Sequence, residues 1–334
     1  EAGIEYDPSR PDGKVLSANQ LETLAKCPLE FFLKYILKVE PPDELKIEPG
    51  VWLDPMHKGR LIHEMFCDFM KEICGANLTP DFNRDSARLH AILNTKISYY
   101  RELIPPPSEE IFQIECRELR RVADIFLRNE EESAKTLAPR WFEVRLGVPI
   151  TGQAGELESS HPITIEIDGG LRIRVKGIVD RIDEVRGSQS SRFVIWDYKT
   201  GSASKYTKNP PFNSGEVIQN AIYFMMVNKV LQEKLAQNAS VEKFGYFFAN
   251  LKEFGSKVEW DASELNDGKS IIADLCEMIR QGCFSFAMKK EGEPFFSDYL
   301  DAFDAVEVEV DRIKKKFENL NNEALNSYRE LKKK

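Results

Sequence analysis

The chain has 334 residues, 42% of them apolar and 30% charged, with a formal net charge of −9. That length and apolar content allow one large domain or two smaller ones around a packed core and exclude a disordered chain. The acidic balance argues against a tight, free-standing nucleic-acid binder, whose affinity comes from neutralising phosphates, but is compatible with a nuclease that has a local basic channel or borrows affinity from a larger assembly.

Residues 1–16 are rich in Pro, Gly and charge and read as irregular; they open on Glu1 rather than Met, which suits a module cut from a longer polypeptide and a stand-alone protein nearly as well. Ser17 with Gln20 three residues on forms a capping box, and Leu21, Leu24 and Ala25 give the helix it opens an apolar face. Pro28 resets the chain, and Phe31, Phe32, Tyr35, Ile36 and Leu37 predict a second, strongly apolar helix before a loop at 40–50. A helix from about Lys58 to Ile73 carries Ile62, Met65, Phe66, Phe69 and Ile73 at helical spacing, and another spans about Asp85 to Tyr100. A long helix follows Ser108 through Glu132, with Ile111, Ile114, Leu119, Val122 and Phe126 as its stripe.

Near Trp141 the period changes from helical to alternating. Segments 141–146, 163–167, 171–175 and 193–196 read as strands, with Asp168-Gly169-Gly170 as a hairpin turn. A helix is expected over 216–235, a strand over 244–248, a helix over 262–281 and a solvated helix in the Glu-, Lys- and Asn-rich tail from 306 to 334. This order predicts an α/β core with helices at both ends. It divides the chain into an irregular 1–16 segment, a helical 17–140 region, a core at 141–290 and a 291–334 extension. No apolar run approaches the length of a membrane span and no signal peptide is read, so no membrane partner and a cytoplasmic setting are expected. The six cysteines, Cys27, Cys67, Cys74, Cys116, Cys276 and Cys283, form no C-x-x-C pair and read as buried thiols rather than a zinc site.

The chemistry concentrates in Gly177-Ile178-Val179-Asp180-Arg181-Ile182-Asp183 and Val194-Ile195-Trp196-Asp197-Tyr198-Lys199-Thr200-Gly201. On a strand Asp197 and Lys199 project the same way and Tyr198 the other. The polar 187–191 stretch reads as a hairpin loop that would bring Asp180 beside them. Two carboxylates and an ammonium at the end of apolar strands suit a hard divalent cation and an oriented water, the needs of phosphodiester hydrolysis. The bland alternative is an exposed ion pair worth ~0–1 kcal/mol. His63 lies at the edge of its helix's apolar stripe; a lone helix histidine is more often structural, and only the nearby demand for a further ligand raises its interest. Gln219 and Tyr223 share a helix face at i and i+4, equally readable as surface polarity and a core tyrosine. Glu143, between Phe142 and Val144, is a further candidate ligand or a solvated residue. Arg60, Arg172, Arg174, Lys176, Arg181, Lys205 and Lys208 are candidate contacts to a nucleic-acid backbone, or the polar face of a sheet.

Taken in order, these motifs resemble the RecB/AddB-type branch of the PD-(D/E)XK nucleases. The match begins at Leu16-Ser17-Ala18-Asn19-Gln20-Leu21-Glu22 and Cys27-Pro28-Leu29-Glu30-Phe31-Phe32-Leu33-Lys34-Tyr35. It continues through Gly59-x-x-x-His63, Gly177 to Asp183, Asp197-Tyr198-Lys199-Thr200-Gly201 and Gln219-x-x-x-Tyr223. The resemblance implies a restriction-endonuclease-like mixed β-sheet core flanked by helices. It implies Mg²⁺ or Mn²⁺ held by His63, Asp180, Asp197 and the Tyr198 carbonyl, with Lys199 orienting and helping to deprotonate a water. Gln219 and Tyr223 would support the site and the DNA strand, and the products would carry a 5′-phosphate. It further implies a single-strand DNA exonuclease module served by a helicase, in the same polypeptide or a partner subunit. Many members of this branch hold an iron–sulfur cluster on an early cysteine and a late cysteine motif. Cys27 stands at the early position, but Pro294 to Phe303 lacks the late cysteines, so no cluster is expected, with apolar packing in its place. No G-x-x-x-x-G-K-[ST] loop occurs, so no ATP is expected. The rival functions are a silent DNA-binding scaffold and a stand-alone endonuclease or RNase of the same fold.

Overall fold

The computed structural model describes residues 6–41, 50–187, 191–208, 211–287, 299 and 314–334. Strand β1 (Leu16–Ser17) runs into helix α1 (Ala18–Lys26), which opens on the expected Ser17/Gln20 capping box. Helix α2 (Pro28–Phe31) continues as a π turn over Phe32–Ile36. Three long helices follow, α3 (Pro55–Gly75), α4 (Phe82–Leu103) and α5 (Glu109–Ser133), each opened by a side-chain cap, from Asp54, Asp81 and Ser108. Strands β2 (Leu137–Leu146), β3 (Ile163–Glu166), β4 (Arg172–Val185) and β5 (Arg192–Tyr198) come next. Helix α6 (Gln219–Lys234) crosses to β6 (Ser240–Phe248), then β7 (Ser256–Asp261), α7 (Ala262–Asn266) and α8 (Gly268–Gln281). The tail adds α9 (314–318) and α10 (Asn326–Leu331).

The strands form one seven-stranded mixed sheet ordered β1-β4-β5-β6-β7, with β2 and β3 also pairing on the long β4. β4 and β5 pair antiparallel, with 188–190 of the expected loop between them outside the described residues; β5 and β6 are parallel, joined by the α6 crossover. Side chains of β5 part to two cores. Phe193 and Ile195 join a cluster with α1, α6 and α8, while Val194, Trp196 and Tyr198 join one with α3, α4 and α5. Each fully buried Phe or Leu in these layers contributes ~1.5–3 kcal/mol. The result is the expected α/β architecture, a mixed sheet between helical layers.

Local departures have physical reasons. The second apolar helix is an α turn followed by a π turn, closed by Leu37 N donating to Phe32 O at 2.9 Å, and Leu37 is 52% exposed rather than core. On α5 the buried apolar stripe is Phe112, Cys116, Leu119, Val122, Ala123, Phe126 and Leu127, leaving Ile114 48% exposed. The expected 262–281 helix breaks at Asp267, where Gly268 sits so close to Ala221 and Phe212 that no side chain fits. Strand β7, Ser256-Lys257-Val258-Glu259-Trp260-Asp261, is not among the expected strands although Val258 and Trp260 alternate with polar residues; it pairs with β6 and buries Trp260. Instead of being a solvated helix, the end of the tail buries Phe317, Leu325, Tyr328 and Leu331 in the core that holds α8, while residues 306–313 lie outside the described residues. In the same tail Lys332 is 2.9 Å from Glu216 and Lys334 is 2.6 Å from Asp274.

Candidate active site

The site forms where β4 and β5 separate. The last paired residues are Arg181 and Trp196, so Asp180 and Asp197 face each other one step beyond the ladder. There Asp180 Oδ2 accepts from Tyr198 N at 2.8 Å, taking the place of a strand partner. β2 contributes from the other side. Phe142 pairs with Arg181 and Val144 with Val179, so Glu143 lies opposite Asp180, with a positive φ of 53°. Val144 and Leu146 enter the α6 core, whereas Phe142 meets the α3–α5 core. The strand therefore changes face at Glu143, and the irregular step aims its carboxylate at Asp180.

Helix α3 supplies His63. Its Nε2 is 3.1 Å from the Tyr198 carbonyl oxygen and its Nδ1 3.4 Å from Asp180 Oδ2. Ligand atoms of His63, Glu143 and Asp180 all lie within 4.8 Å of one another. Gly59, one turn earlier, faces Thr200; a methyl there would come 3.4 Å from Thr200 Oγ1. α3 thus packs in van der Waals contact with the segment just after Lys199.

The other half of the site is a chain of polar contacts. Lys199 Nζ is 2.5 Å from Asp197 Oδ2 and donates to Gln219 Oε1 at 3.0 Å. Gln219 Nε2 donates to Asp197 Oδ1 at 2.8 Å. Asp197 is buried, and its Oδ2 makes no well-aligned hydrogen bond. The Tyr223 ring occupies the space a side chain at Gly177 would need, 2.7 Å from that Cβ position, which explains a glycine at the head of the Gly177–Asp183 motif.

Electrostatics separate these groups. Burial, then Asp197 and Glu143, push the Asp180 carboxyl well above the usual range. Burial also raises Glu143, and it lowers His63, favouring a neutral imidazole. Burial works against the Lys199 ammonium, but Asp197 outweighs it and the pKa is raised. Burial raises the Tyr223 hydroxyl, with Asp197 adding to it. The carboxylates are thus short of positive charge, and the oxygen donors with one imidazole suit Mg²⁺ or Mn²⁺.

The structure brings His63, Glu143, Asp180, Asp197, the Tyr198 carbonyl, Lys199, Gln219 and Tyr223 together. The candidate DNA contacts divide. Arg60 is exposed one turn from His63, paired to Glu64 at 3.2 Å, and Lys205 and Lys208 are exposed just after the Lys199 loop. Arg174 and Arg172 sit roughly 20 and 26 Å down β4 from Asp180, at ~3.3 Å per residue; Arg174 donates to Gly13 O and Arg172 lies 3.7 Å from Glu166. Arg181 is corrected outright. It is 2% exposed, bidentate to Asp183 at 2.6 and 2.7 Å and 2.6 Å from Glu130, so it cannot meet a DNA backbone. A strand residue next to Asp180 faces the opposite side.

Two features escaped sequence reasoning. Glu22 Oε1 accepts from Ile218 N and Gln219 N, both at 3.0 Å, capping a helix whose own N-cap side chain makes no such bond. Its only signal was its place in the opening motif. Arg181 also donates to the Tyr198 hydroxyl at 3.2 Å, bracing the strand from behind. Near Cys27, whose buried thiol is raised by burial, Phe284 stacks on Phe31 and Phe32 with centroids 5.9 and 5.2 Å apart. Leu29 N donates to Ser285 O at 2.9 Å, and Tyr299, from the segment lacking the late cysteines, donates to Val39 O at 2.6 Å.

Comparison with known proteins gives a consistent answer. The sequence model of the PD-(D/E)XK nuclease superfamily matches residues 15–295. Similar proteins are named as the B subunit of an ATP-dependent helicase/deoxyribonuclease. The one from Clostridioides difficile (strain 630) is 26% identical over 191 residues, 57% of this chain and 16% of that protein. That from Thermoanaerobacter sp. (strain X514) is 24% identical over 263 residues, 78% of this chain and 21% of the other. The Latilactobacillus sakei subsp. sakei (strain 23K) protein is 25% identical over 247 residues, 71% of this chain and 19% of that one. The chain spans about a fifth or less of the length of these curated relatives.

Proposed function

The chain belongs to the PD-(D/E)XK nuclease superfamily, and on that premise we propose that it is a Mg²⁺- or Mn²⁺-dependent deoxyribonuclease. In this reading it cuts single-stranded DNA as an exonuclease within a helicase–nuclease system for repair and recombination. The observation that carries the reading is the convergence of His63, Glu143 and Asp180 within 4.8 Å, beside the Lys199–Asp197 pair at 2.5 Å. The relatives' shared name supports DNA as substrate and a helicase, in the same polypeptide or another subunit, as partner. Among the described residues no helix is long and apolar enough to cross a membrane, and a DNA-processing module would work in the cytoplasm.

His63, Asp180, Asp197, the Tyr198 carbonyl and Glu143 would hold the cation. When bound, it supplies Lewis acidity to the phosphate and acidifies a water. Lys199, kept as an ammonium by Asp197, would orient that water by donating to its oxygen and would help its deprotonation by stabilising the hydroxide as the proton passes to solvent. Gln219 fixes Lys199 and Asp197 relative to each other, and Tyr223 backs them against Gly177. Arg60, Lys205 and Lys208 offer cations to the strand. Residues 141–290 act as the catalytic core, and the 17–140 region completes it with His63. No iron–sulfur cluster is proposed; ring stacking of Phe284 on Phe31 and Phe32 fastens that corner. A silent scaffold would retain a buried, mutually repelling carboxylate cluster at a cost with no return.

Degradation of end-labelled single-stranded DNA with Mg²⁺ or Mn²⁺ tests this. Wild type should cut and Lys199→Ala and Asp197→Ala should not; a wild type that binds DNA but never cuts it would overturn the nuclease reading.

A further inference from the structure

The loop of residues 249–255, between β6 and β7, does more than turn the chain. β5 and β6 are parallel, so their carboxyl ends lie at the same edge of the sheet, where Lys199 N donates to Phe247 O at 2.9 Å. The loop is bound to the segment after Lys199. Asn250 Nδ2 donates to Gly201 O at 3.0 Å, and Lys252 Nζ donates to Ser202 Oγ at 3.2 Å. Glu253 Oε1 accepts from Ser202 Oγ at 3.3 Å and from Ala203 N at 3.0 Å. Within the loop, Asn250 Oδ1 accepts from Lys252 N at 2.9 Å and from Glu253 N at 2.8 Å. Behind it, Gly255, with φ 82°, packs against the Asn129 side chain of α5.

On this tied-down loop Phe254 is 66% exposed and has φ 52°. A left-handed backbone strains a bulky residue, and an exposed ring forgoes the gain of burial. Glycine would suit the turn better on both counts, so the fold gives no reason for phenylalanine. The surroundings do. Lys252, Lys205 and Lys208 are exposed on the same pair of loops. Gly255 N bonds Phe248 O, one strand from the Lys199 backbone, so Phe254 lies roughly 10–14 Å from it given a strand spacing of ~4.8 Å. That is a reach of a few nucleotides at a rise of ~3.4 Å or more.

We propose that Phe254 is a stacking platform for an unpaired base of a nucleic-acid strand whose phosphates are met by Lys252, Lys205 and Lys208. The proposal deepens the nuclease reading by naming where the strand rests and why it must be single: a duplex keeps its base faces covered, and an aromatic face with flanking ammonium groups binds splayed bases without regard to sequence.

The test is binding of a fluorescein-labelled oligothymidylate, in EDTA so that nothing is cut, beside a duplex of equal length. Phe254→Gly should bind the single strand about tenfold more weakly than wild type, the loss of roughly one base stack. It should bind the duplex unchanged and melt at an equal or higher temperature, because glycine relieves the left-handed strain. Phe254→Trp should retain affinity, and its added emission should be quenched by the oligonucleotide but not by an abasic one. Phe254→Gly binding within twofold of wild type overturns the platform. If wild type also cuts with Mg²⁺ or Mn²⁺, that result leaves the nuclease reading standing. Binding that depends on Phe254 in a protein that never cuts supports the platform and sinks the nuclease reading.

Discussion

Asp180 and Arg181 are neighbours in the chain and sit in opposite electrostatic worlds. Behind the sheet, the Arg181 guanidinium meets both Asp183 and Glu130 at 2.6 Å, so each buried carboxylate touches a fixed cation of the chain. In front, Asp180 faces Glu143 and Asp197; the Lys199 ammonium is engaged by Asp197, and Lys71 favours the charged form of Glu143 without offsetting its burial. In the rear cluster each carboxylate has a salt-bridge partner within the fold, whereas in the front one Asp180 and Glu143 touch no Lys or Arg among the described residues, a local deficit of positive charge. A candidate metal site thus differs from a structural ion network by what is missing as much as by which residues gather.

The comparison breaks most severely at Arg181. Arg181→Ala leaves two buried carboxylates without a cation and should destabilise the protein by ~3–5 kcal/mol, read as a lower denaturation midpoint in urea. Lys199→Ala should keep the fold but cost about 10²–10³-fold in cleavage rate, as loss of a group that acts on the reacting oxygens does; an equal loss of melting temperature in both variants would erase the distinction between the clusters. Glu22→Ala should cost about 1 kcal/mol through the lost cap and lower turnover more than KM, because Gln219 loses its anchor. Glu22→Gln, which keeps the accepting oxygen, should restore most of it. The smallest effect is the most diagnostic. Asp180→Asn removes a repelled charge while keeping an acceptor for Tyr198 N, so in EDTA its melting temperature should rise slightly. A fall would mean that the front cluster carries no deficit.

The hairpin was legible because apolar alternation, a polar loop and a carboxylate near each strand end coincide in a short window. Asp180, Asp197 and Lys199 could therefore be placed together from the residues alone. Glu143 could not, since its convergence depends on a left-handed step in the middle of β2, which alternation does not encode. Arg181 was misjudged by grouping charges along the chain instead of by strand face. The tail was misjudged for a related reason: Phe317, Leu325, Tyr328 and Leu331 are sparse among Lys, Glu and Asn, and only the α8 surface makes them one apolar face. Glu22 shows the general limit, since a cap supplied from 197 residues away has no local pattern.

That distance has a kinetic consequence. His63 meets Tyr198 across 135 residues, and Glu22 meets Gln219 across 197. Such contacts close late, after the loop entropy between them has been overcome. A nascent or partly unfolded chain would carry every candidate ligand and hold none in register. The capacity to cut nucleic acid would then appear only with the finished fold, so that topology itself guards the cell against a half-made nuclease.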